Sequence, residues 1–382
     1  MRKIVCLATS PWYPIPTRKQ QVMSRIPDAQ ILYFDPSVSY LAPMKDPAAR
    51  PLLKKFREPG VHPQENITVY SLPPVLPFFY KFRWINRLNQ KRMARFVRKK
   101  MAAHGFADAL LWVYSPVSVD LVDSVPHTGL VYDCVDRHSA YGGLMDPKLV
   151  DAMELELTKK TDMTFATADA LAERLRAAQP DIVMIPNGAN YERFAQAAQP
   201  QPVPEDLQDI PHPVFGFVGA LQNCIEYDYL EAAAKARPDW SFVLIGKEKP
   251  GVDLTALHGM KNVHFLGLKP NEQLPQYLAH FDACLNLFAK SDLSKDVSPL
   301  KFYEYLATGR PIVSTKQPDQ ILQYAPLIEI ADSPEEFIAA CEKSLTDAQP
   351  EKISARMEAG RSCSWDSRVA QMCELLEKRG LL

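Results

Sequence analysis

The residues best placed to do chemistry in this chain lie in Ser298-Pro-Leu-Lys-Phe-Tyr-Glu-Tyr-Leu-Ala-Thr-Gly309. Their order predicts a short helix with both ends marked. Ser298 suits the N-cap, Pro299 the first helical position, and Gly309 a left-handed C-terminal stop. Lys301 falls in the first turn, where the helix dipole is positive and a cation costs about 0.3–1 kcal/mol. A bound phosphate would reverse that sign, because free N–H groups, the dipole and the lysine would converge on one anion. Glu304 stands three residues on and shares a face with Lys301. A carboxylate one turn below a phosphate site can accept hydrogen bonds from ribose hydroxyls. The same spacing also describes a plain surface Lys–Glu pair.

A second set lies in the first half. Asp133 and Asp136 close the apolar run Tyr132-Asp-Cys-Val-Asp136, and His138 follows. Carboxylates at the carboxyl ends of strands in an α/β sheet stand where ligands bind, so Asp136 and Asp133 are catalytic candidates; otherwise they cap the next turn. Between Lys81 and Lys100 lie nine basic residues and no acidic one. Phe82, Ile85, Leu88 and Phe96 recur there at near-helical spacing, after a proline-rich apolar stretch, Leu72–Tyr80. An apolar face beside a cationic one suits a monotopic contact with an anionic membrane surface. The alternative is a solvated helix whose charges pair with acidic neighbours. No nucleic-acid reading module accompanies the patch, so nucleic acid is not an expected partner.

The elements that must position these residues alternate regularly. Strands are expected at Ile4–Ala8, Ile31–Phe34, Ile67–Leu72, Ala109–Tyr114, Gly129–Cys134, Met163–Ala166 and Ile182–Ile185. Helices are expected at Phe82–Ala103, Pro147–Lys160 and Asp169–Ala178. Strands that are apolar throughout, separated by helices, indicate a parallel sheet covered on both faces. A proline-rich break at 195–213 reads as a linker. The alternation then restarts, with strands at Val214–Val218, Ser241–Ile245, Val263–Leu266, Ala283–Leu287, Pro311–Ser314 and Leu327–Ile330. Helices fit at Tyr227–Ala236, Asn271–His280, Pro299–Ala307, Pro334–Leu345 and Asp366–Lys378. The expected architecture is therefore α/β, with two doubly wound Rossmann-like domains facing each other across a cleft: 1–194, then 214–365.

Composition agrees and excludes other classes. The 382 residues suit two domains, and 47% hydrophobic with 23% charged residues describes a globular chain. A net charge of -1 gives no global attraction to polyanions. The seven cysteines are scattered, without metal or redox spacing, and read as reduced buried thiols of a cytoplasmic protein. The apolar run near Met1 is too short for a signal peptide, and no run reaches transmembrane length.

Ser298–Ser314, reading SPLKFYEYLATGRPIVS, resembles the donor-binding motif of glycosyltransferase family 4, a GT-B family, and more closely its branch for teichuronic acid biosynthesis. Tyr132–Asp136, Ile185-Pro-Asn-Gly188, Gly216–Ala220, Trp240–Gly246, Val263–Gly267 and Ser364-Trp365 fall in the same order as in that branch. The resemblance implies a retaining, metal-independent enzyme without a cofactor, using a nucleotide diphosphate sugar, a UDP-sugar, as co-substrate. The acceptor it implies is a lipid-linked or polysaccharide one, with the enzyme cytoplasmic or peripheral on the inner face of the plasma membrane. By matching position, Glu304 would hold the ribose. Ser298, Pro299 and Leu300 would face the diphosphate with Lys301 as cation, and Gly219 would allow its close approach; Asn187 joins this donor set. The branch has a similar Pro-x-Arg-x-Gln-Gln in its first loop, which makes Arg18, Gln20 and Gln21 acceptor or phosphate candidates with His138. The resemblance also implies that the final helix, 366–382, crosses back onto the first domain.

The sequence departs from the family pattern in several places. Asp296 stands where many members have a glutamate, Leu221–Glu226 replaces a basic pair after Gly219, Val135 replaces a histidine, and the first loop lacks a glycine pair. No Asp-x-Asp triplet occurs; Glu226-Tyr-Asp228 comes nearest and opens an expected helix. A GT-B nucleotide-sugar epimerase or hydrolase, and a non-catalytic sugar-nucleotide-binding subunit, are the competing readings.

Overall fold

The apolar strands pair as their composition dictates, in two separate sheets. The computed structural model describes residues 1–382 except Leu144, Asp292 and Leu293. The chain divides into one unit of Met1–Pro186 with Val369–Leu382, and another of Asn187–Arg368.

The first unit holds β1 (Arg2–Leu7), β2 (Ala29–Asp35), β3 (Val61–Gln64), β4 (Ile67–Ser71), β5 (Leu110–Val113), β6 (Gly129–Cys134), β7 (Met163–Ala166) and β8 (Val183–Met184). Their order is β3-β4-β2-β1-β5-β6-β7-β8, parallel apart from the antiparallel β3–β4 pair. β3 was not expected. It is an edge strand reading Val-His-Pro-Gln, mostly exposed, so it carries no apolar signal. Val5, Phe34, Leu111, Val113 and Leu130 build the core with Met93, Val97, Met153 and Leu157 of the covering helices Arg83–His104 and Pro147–Lys160.

The second unit holds β9 (Val214–Val218), β10 (Ser241–Ile245), β11 (Val263–Gly267), β12 (Ala283–Asn286), β13 (Ile312–Thr315) and β14 (Glu329–Ala331). The order β11-β10-β9-β12-β13-β14 is all parallel, the arrangement of a doubly wound dinucleotide-type sheet.

The division falls at Pro186–Asn187, not in the proline-rich 195–213 segment taken as a linker. Ala197 and Leu207 are buried there and belong to the second unit's core with Tyr277 and Phe281, so the prolines shape a packed connection rather than a free tether. The helix Pro350–Ser362 was also missed. Its buried residues are Arg356 and Gly360, which leaves no apolar stripe to read. Gly360 lies so close to Ala307 of the helix Leu300–Thr308 that a Cβ would meet its backbone nitrogen at 2.6 Å. Fully buried Arg356 donates to the carbonyls of Leu327 (2.8 Å) and Gly309 (3.2 Å) and pairs with Asp347.

The last helix, Trp365–Lys378, starts in the second unit and continues into the first. In the first unit Arg2 pairs with Glu377 and Arg379 with Asp181. Six of the seven cysteines are buried, Cys224 partly, and all are free thiols. Among the described residues no helix is long and apolar enough to cross a membrane.

Candidate functional site

In the second unit the strand order reverses between β9 and β12, and their carboxyl ends frame the position where such sheets hold ligands. Gly219 follows β9 directly. Its N–H donates to the Ile245 carbonyl at 2.9 Å, and its own carbonyl lies so close to Gly246 that a Cβ there would come to 1.8 Å. The Tyr305 hydroxyl accepts from the Val218 N–H (2.8 Å) and donates to the Val218 carbonyl (3.3 Å). That pair of bonds ties the Gly219 turn to the helix Leu300–Thr308, which follows β12.

The helix begins one residue later than expected. Pro299 occupies the N-cap, no side chain caps the first turn, and Gly309 ends it at φ 73°. Ser298 does not cap because its oxygens are taken: its hydroxyl accepts from the Asn187 N–H (2.9 Å), and its carbonyl from the Asn187 side-chain amide (3.0 Å). Asn187 and Ser298 thus brace the approach to the helix, while Asn187 Oδ1 is buried without a partner among the described residues. Lys301 Nζ donates to Glu304 Oε2 at 2.6 Å. Glu304 is 5% exposed, and burial raises its pKa, against the pull of Lys301 and then Arg193. An uncapped helix start, a half-exposed cation and a buried carboxylate one turn below can together hold an anion and a hydroxyl-bearing ring beside it. Asp296, nearby in sequence, is buried.

In the first unit the order reverses between β1 and β5. Arg18, beyond β1, is buried. Its Nε donates to both oxygens of Asp133 (3.1 and 2.9 Å), and its Nη1 to the Pro186 carbonyl (3.0 Å). Asp133 is fully buried, so this expected catalytic carboxylate is instead the anchor of Arg18. Asp136, at the same strand end, is exposed and accepts from the Tyr141 hydroxyl at 3.0 Å. Of the two, Asp136 is the carboxylate open to a ligand.

His138 is buried, its Nε2 3.0 Å from the Tyr114 carbonyl. Burial lowers its pKa, so the neutral ring donates through Nε2 and leaves Nδ1 as an unpartnered acceptor. Gln20 proves to be a brace. Its Oε1 accepts from the Thr17 N–H (2.8 Å) and hydroxyl (2.7 Å), and its Nε2 donates to the Pro11 carbonyl, so both ends of the amide are spent on the loop. Gln21, on the same short helix, Arg18–Met23, accepts at 2.7 Å from Arg25 just beyond its end. Sequence reasoning missed Lys19, which is buried with its ammonium 5.5 Å from the Tyr114 ring centroid. A lysine between two polar residues carries no signal of burial.

The basic helix Arg83–His104 does not present the apolar face expected of it. Ile85 is buried and Phe96 packs edge-on against Phe34 and Phe56, because these residues face the sheet. Phe82, Trp84 and Leu88 are exposed there, and Tyr40, Leu41 and Met44 are among the apolar residues exposed elsewhere in the unit. Arg83 pairs with Asp120 and Glu156, and Arg87 lies 3.6 Å from Asp120. Lys91, Arg95 and Arg98 line an open groove with Asp123. Among the described residues no group of three His, Cys, Asp or Glu side chains could hold a metal ion.

Residues 212–347 match the model of a family described as Glycosyl transferases group 1. The chain is also similar to TuaH of Bacillus subtilis (strain 168), described as a teichuronic acid biosynthesis glycosyltransferase, with 27% identity over 260 residues. That match covers 64% of this chain and 65% of the relative, just under two thirds of its length. Solved structures share the whole fold. Sucrose-phosphate synthase from Thermosynechococcus elongatus superposes with a TM-score of 0.70 at 14% identity, covering 99% of both chains. The Anabaena protein HepE, solved with UDP and glucose, gives a TM-score of 0.63 at 16% identity, covering 99% of this chain and 100% of its own. The fold is GT-B.

Proposed function

We propose that this chain is a GT-B glycosyltransferase that moves a sugar from a nucleotide diphosphate sugar, a UDP-sugar, onto a lipid-linked or polysaccharide acceptor. The observation that carries the reading is the Lys301–Glu304 pair at the uncapped start of Leu300–Thr308, inside the family-matched segment. The diphosphate would sit against the first-turn amides with Lys301 as counter-cation, and Glu304 would accept from the ribose hydroxyls. Gly219 would keep the space beside β9 clear. Loss of the nucleoside diphosphate is then assisted by amides and one cation, with no metal ion needed. Retention is the expected stereochemistry, with the leaving phosphate able to take the acceptor's proton. UDP is favoured over other nucleotides because a protein of this fold binds UDP and glucose.

Thermal-shift screening with UDP-, GDP- and dTDP-sugars tests the assignment. A UDP-sugar at about 100 times its Kd should add about 2.7 kcal/mol to stability, with the other nucleotides well behind. Equal, negligible shifts from all three would defeat it.

The acceptor would be met by the first unit. A cavity of about 140 Å³ lies there, lined by Thr9, Leu72, Phe79, Gln90, Ser115 and Leu121 among others, and its mixed polar and apolar wall suits a sugar carried on an apolar group. For the membrane surface, the exposed set Trp84, Leu88, Lys91 and Arg95 replaces the face read from the sequence. Each cation near an anionic leaflet contributes about 1 kcal/mol, so Lys91→Gln with Arg95→Gln should weaken binding to phosphatidylserine vesicles roughly thirtyfold at low salt. Co-sedimentation measures it; unchanged binding would remove the membrane contact from the proposal.

A further inference from the structure

We propose that Lys19 and Arg18 form a phosphate subsite in the first unit, carried by observations separate from those at the Lys301–Glu304 helix. Lys19 is 8% exposed, and among the described residues its Nζ donates to no oxygen atom; it lies over the Tyr114 ring at 5.5 Å. Arg18 is 3% exposed, and its Nη2 is buried with no partner among the described residues although Nε and Nη1 are both engaged. The Tyr114 hydroxyl is likewise buried without a partner among the described residues.

The imbalance has a direction. An ammonium has three donors and no acceptor, and a guanidinium has only donors, so what is missing around them is oxygen. The nearby carboxylates do not supply it. Both oxygens of Asp133 are spent on Arg18, while Asp136 is exposed and takes its bond from Tyr141. Burial lowers the pKa of Lys19, and Asp136 followed by Asp133 opposes that shift from a distance. Holding an ammonium out of water with no acceptor is costly, and an apolar side chain of the same length would serve packing better. A group with several anionic oxygens resolves the cost at once, because Lys19 and Arg18 can each donate to it in a charge-assisted bond. Phosphate has that chemistry. The subsite rests on these orphaned donors and not on the transferase reading.

The phosphate could belong to the donor's diphosphate or to a phosphate-bearing acceptor, and calorimetry on the full chain separates the two. Pyrophosphate should bind wild type, and Lys19→Met should weaken it about tenfold or more, the loss of one charge-assisted contact. If the donor is the source, Lys19→Met weakens UDP equally and pyrophosphate competes with UDP. If a second ligand is the source, UDP affinity is unchanged and pyrophosphate binds on top of UDP. The unliganded Lys19→Met protein should melt a few degrees above wild type, since an unpaired buried charge has gone. Lys19→Gln, polar but uncharged, checks that the loss follows charge and not a failure to fold. Equal pyrophosphate affinity in wild type and Lys19→Met overturns the subsite, as does no binding to wild type or a variant that melts well below it. Because pyrophosphate carries no sugar or base, the result stands whatever sugar nucleotides do at Glu304.

Discussion

Glu304→Ala should reduce kcat/KM with the preferred sugar nucleotide by a factor of about 10² or more and abolish its thermal stabilisation. The carboxylate is 5% exposed and its known partner is Lys301, so it cannot be replaced by water at no cost. Two hydrogen bonds from ribose hydroxyls to a charged group contribute about 1.5–3 kcal/mol each, enough for at least that factor. Glu304→Gln keeps one acceptor and should fall between. Without ligand, Glu304→Gln should instead exceed wild type in stability. Burial raises the folded-state pKa of Glu304 above its ordinary 4.5. A raised carboxyl pKa means stability that is present below 4.5 and lost as the pH climbs through the raised value, where a buried charge must form. Glu304→Gln stays neutral, so it should be more stable than wild type at pH 7 and equal to it near pH 4. Chemical denaturation across that range, with nucleotide titration, reads both effects. A Glu304→Ala protein that binds its donor as wild type does would remove the residue from the site.

The second large effect is expected from Gly246→Ala. A Cβ at this position would stand 1.8 Å from the Gly219 carbonyl oxygen, a contact with main chain that no rotamer can relieve. The surrounding ladder resists adjustment. Gly246 donates to the Gly267 carbonyl at 2.9 Å, Gly219 to Ile245 at 2.9 Å and Leu221 to Lys247 at 3.0 Å. Overpacking of this kind costs about 1–3 kcal/mol when side chains can yield, and more when backbone must move. A loss of about 3 kcal/mol in urea denaturation is expected, and nucleotide binding should fail even where the fold survives, because the Gly219 turn is what moves. Gly259→Ala is the control: its nearest neighbour is 3.4 Å away, and its φ of -78° suits any residue. An unchanged denaturation midpoint for Gly246→Ala would mean the Gly219 turn yields freely.

Much of this frame could be read from the residues. The strands are buried on both faces and apolar throughout, which is why Gly129–Cys134, Met163–Ala166, Val214–Val218 and Ser241–Ile245 could be placed to the residue. Where burial is achieved by other means, the reading failed. Pro350–Ser362 packs through Gly360 and Arg356, and β3 is an exposed edge. At the site, residue types indicated Glu304 and Lys301, because a lysine in a first helical turn needs an explanation. Type alone could not separate Asp133 from Asp136, since an ion pair to Arg18 115 residues away decides which one is closed. It could not show that Ser298 is held by Asn187 from 111 residues away. Lys19 was invisible for the same reason: its burial depends on Tyr114, a residue of a distant segment.

The path of the chain has a consequence for how the protein is made. The second unit is inserted within the first, and its two ends meet in a bridge where Ala189 donates to the Cys363 carbonyl and Trp365 to the Ala189 carbonyl. As the chain leaves the ribosome, the inserted segment has all of its partners before the outer one does. The unit begun first is therefore finished last. Arg2 waits for Glu377, so a nascent chain halted between these two residues, after Arg368, would carry a complete inserted unit while the first unit still lacks its closing pair.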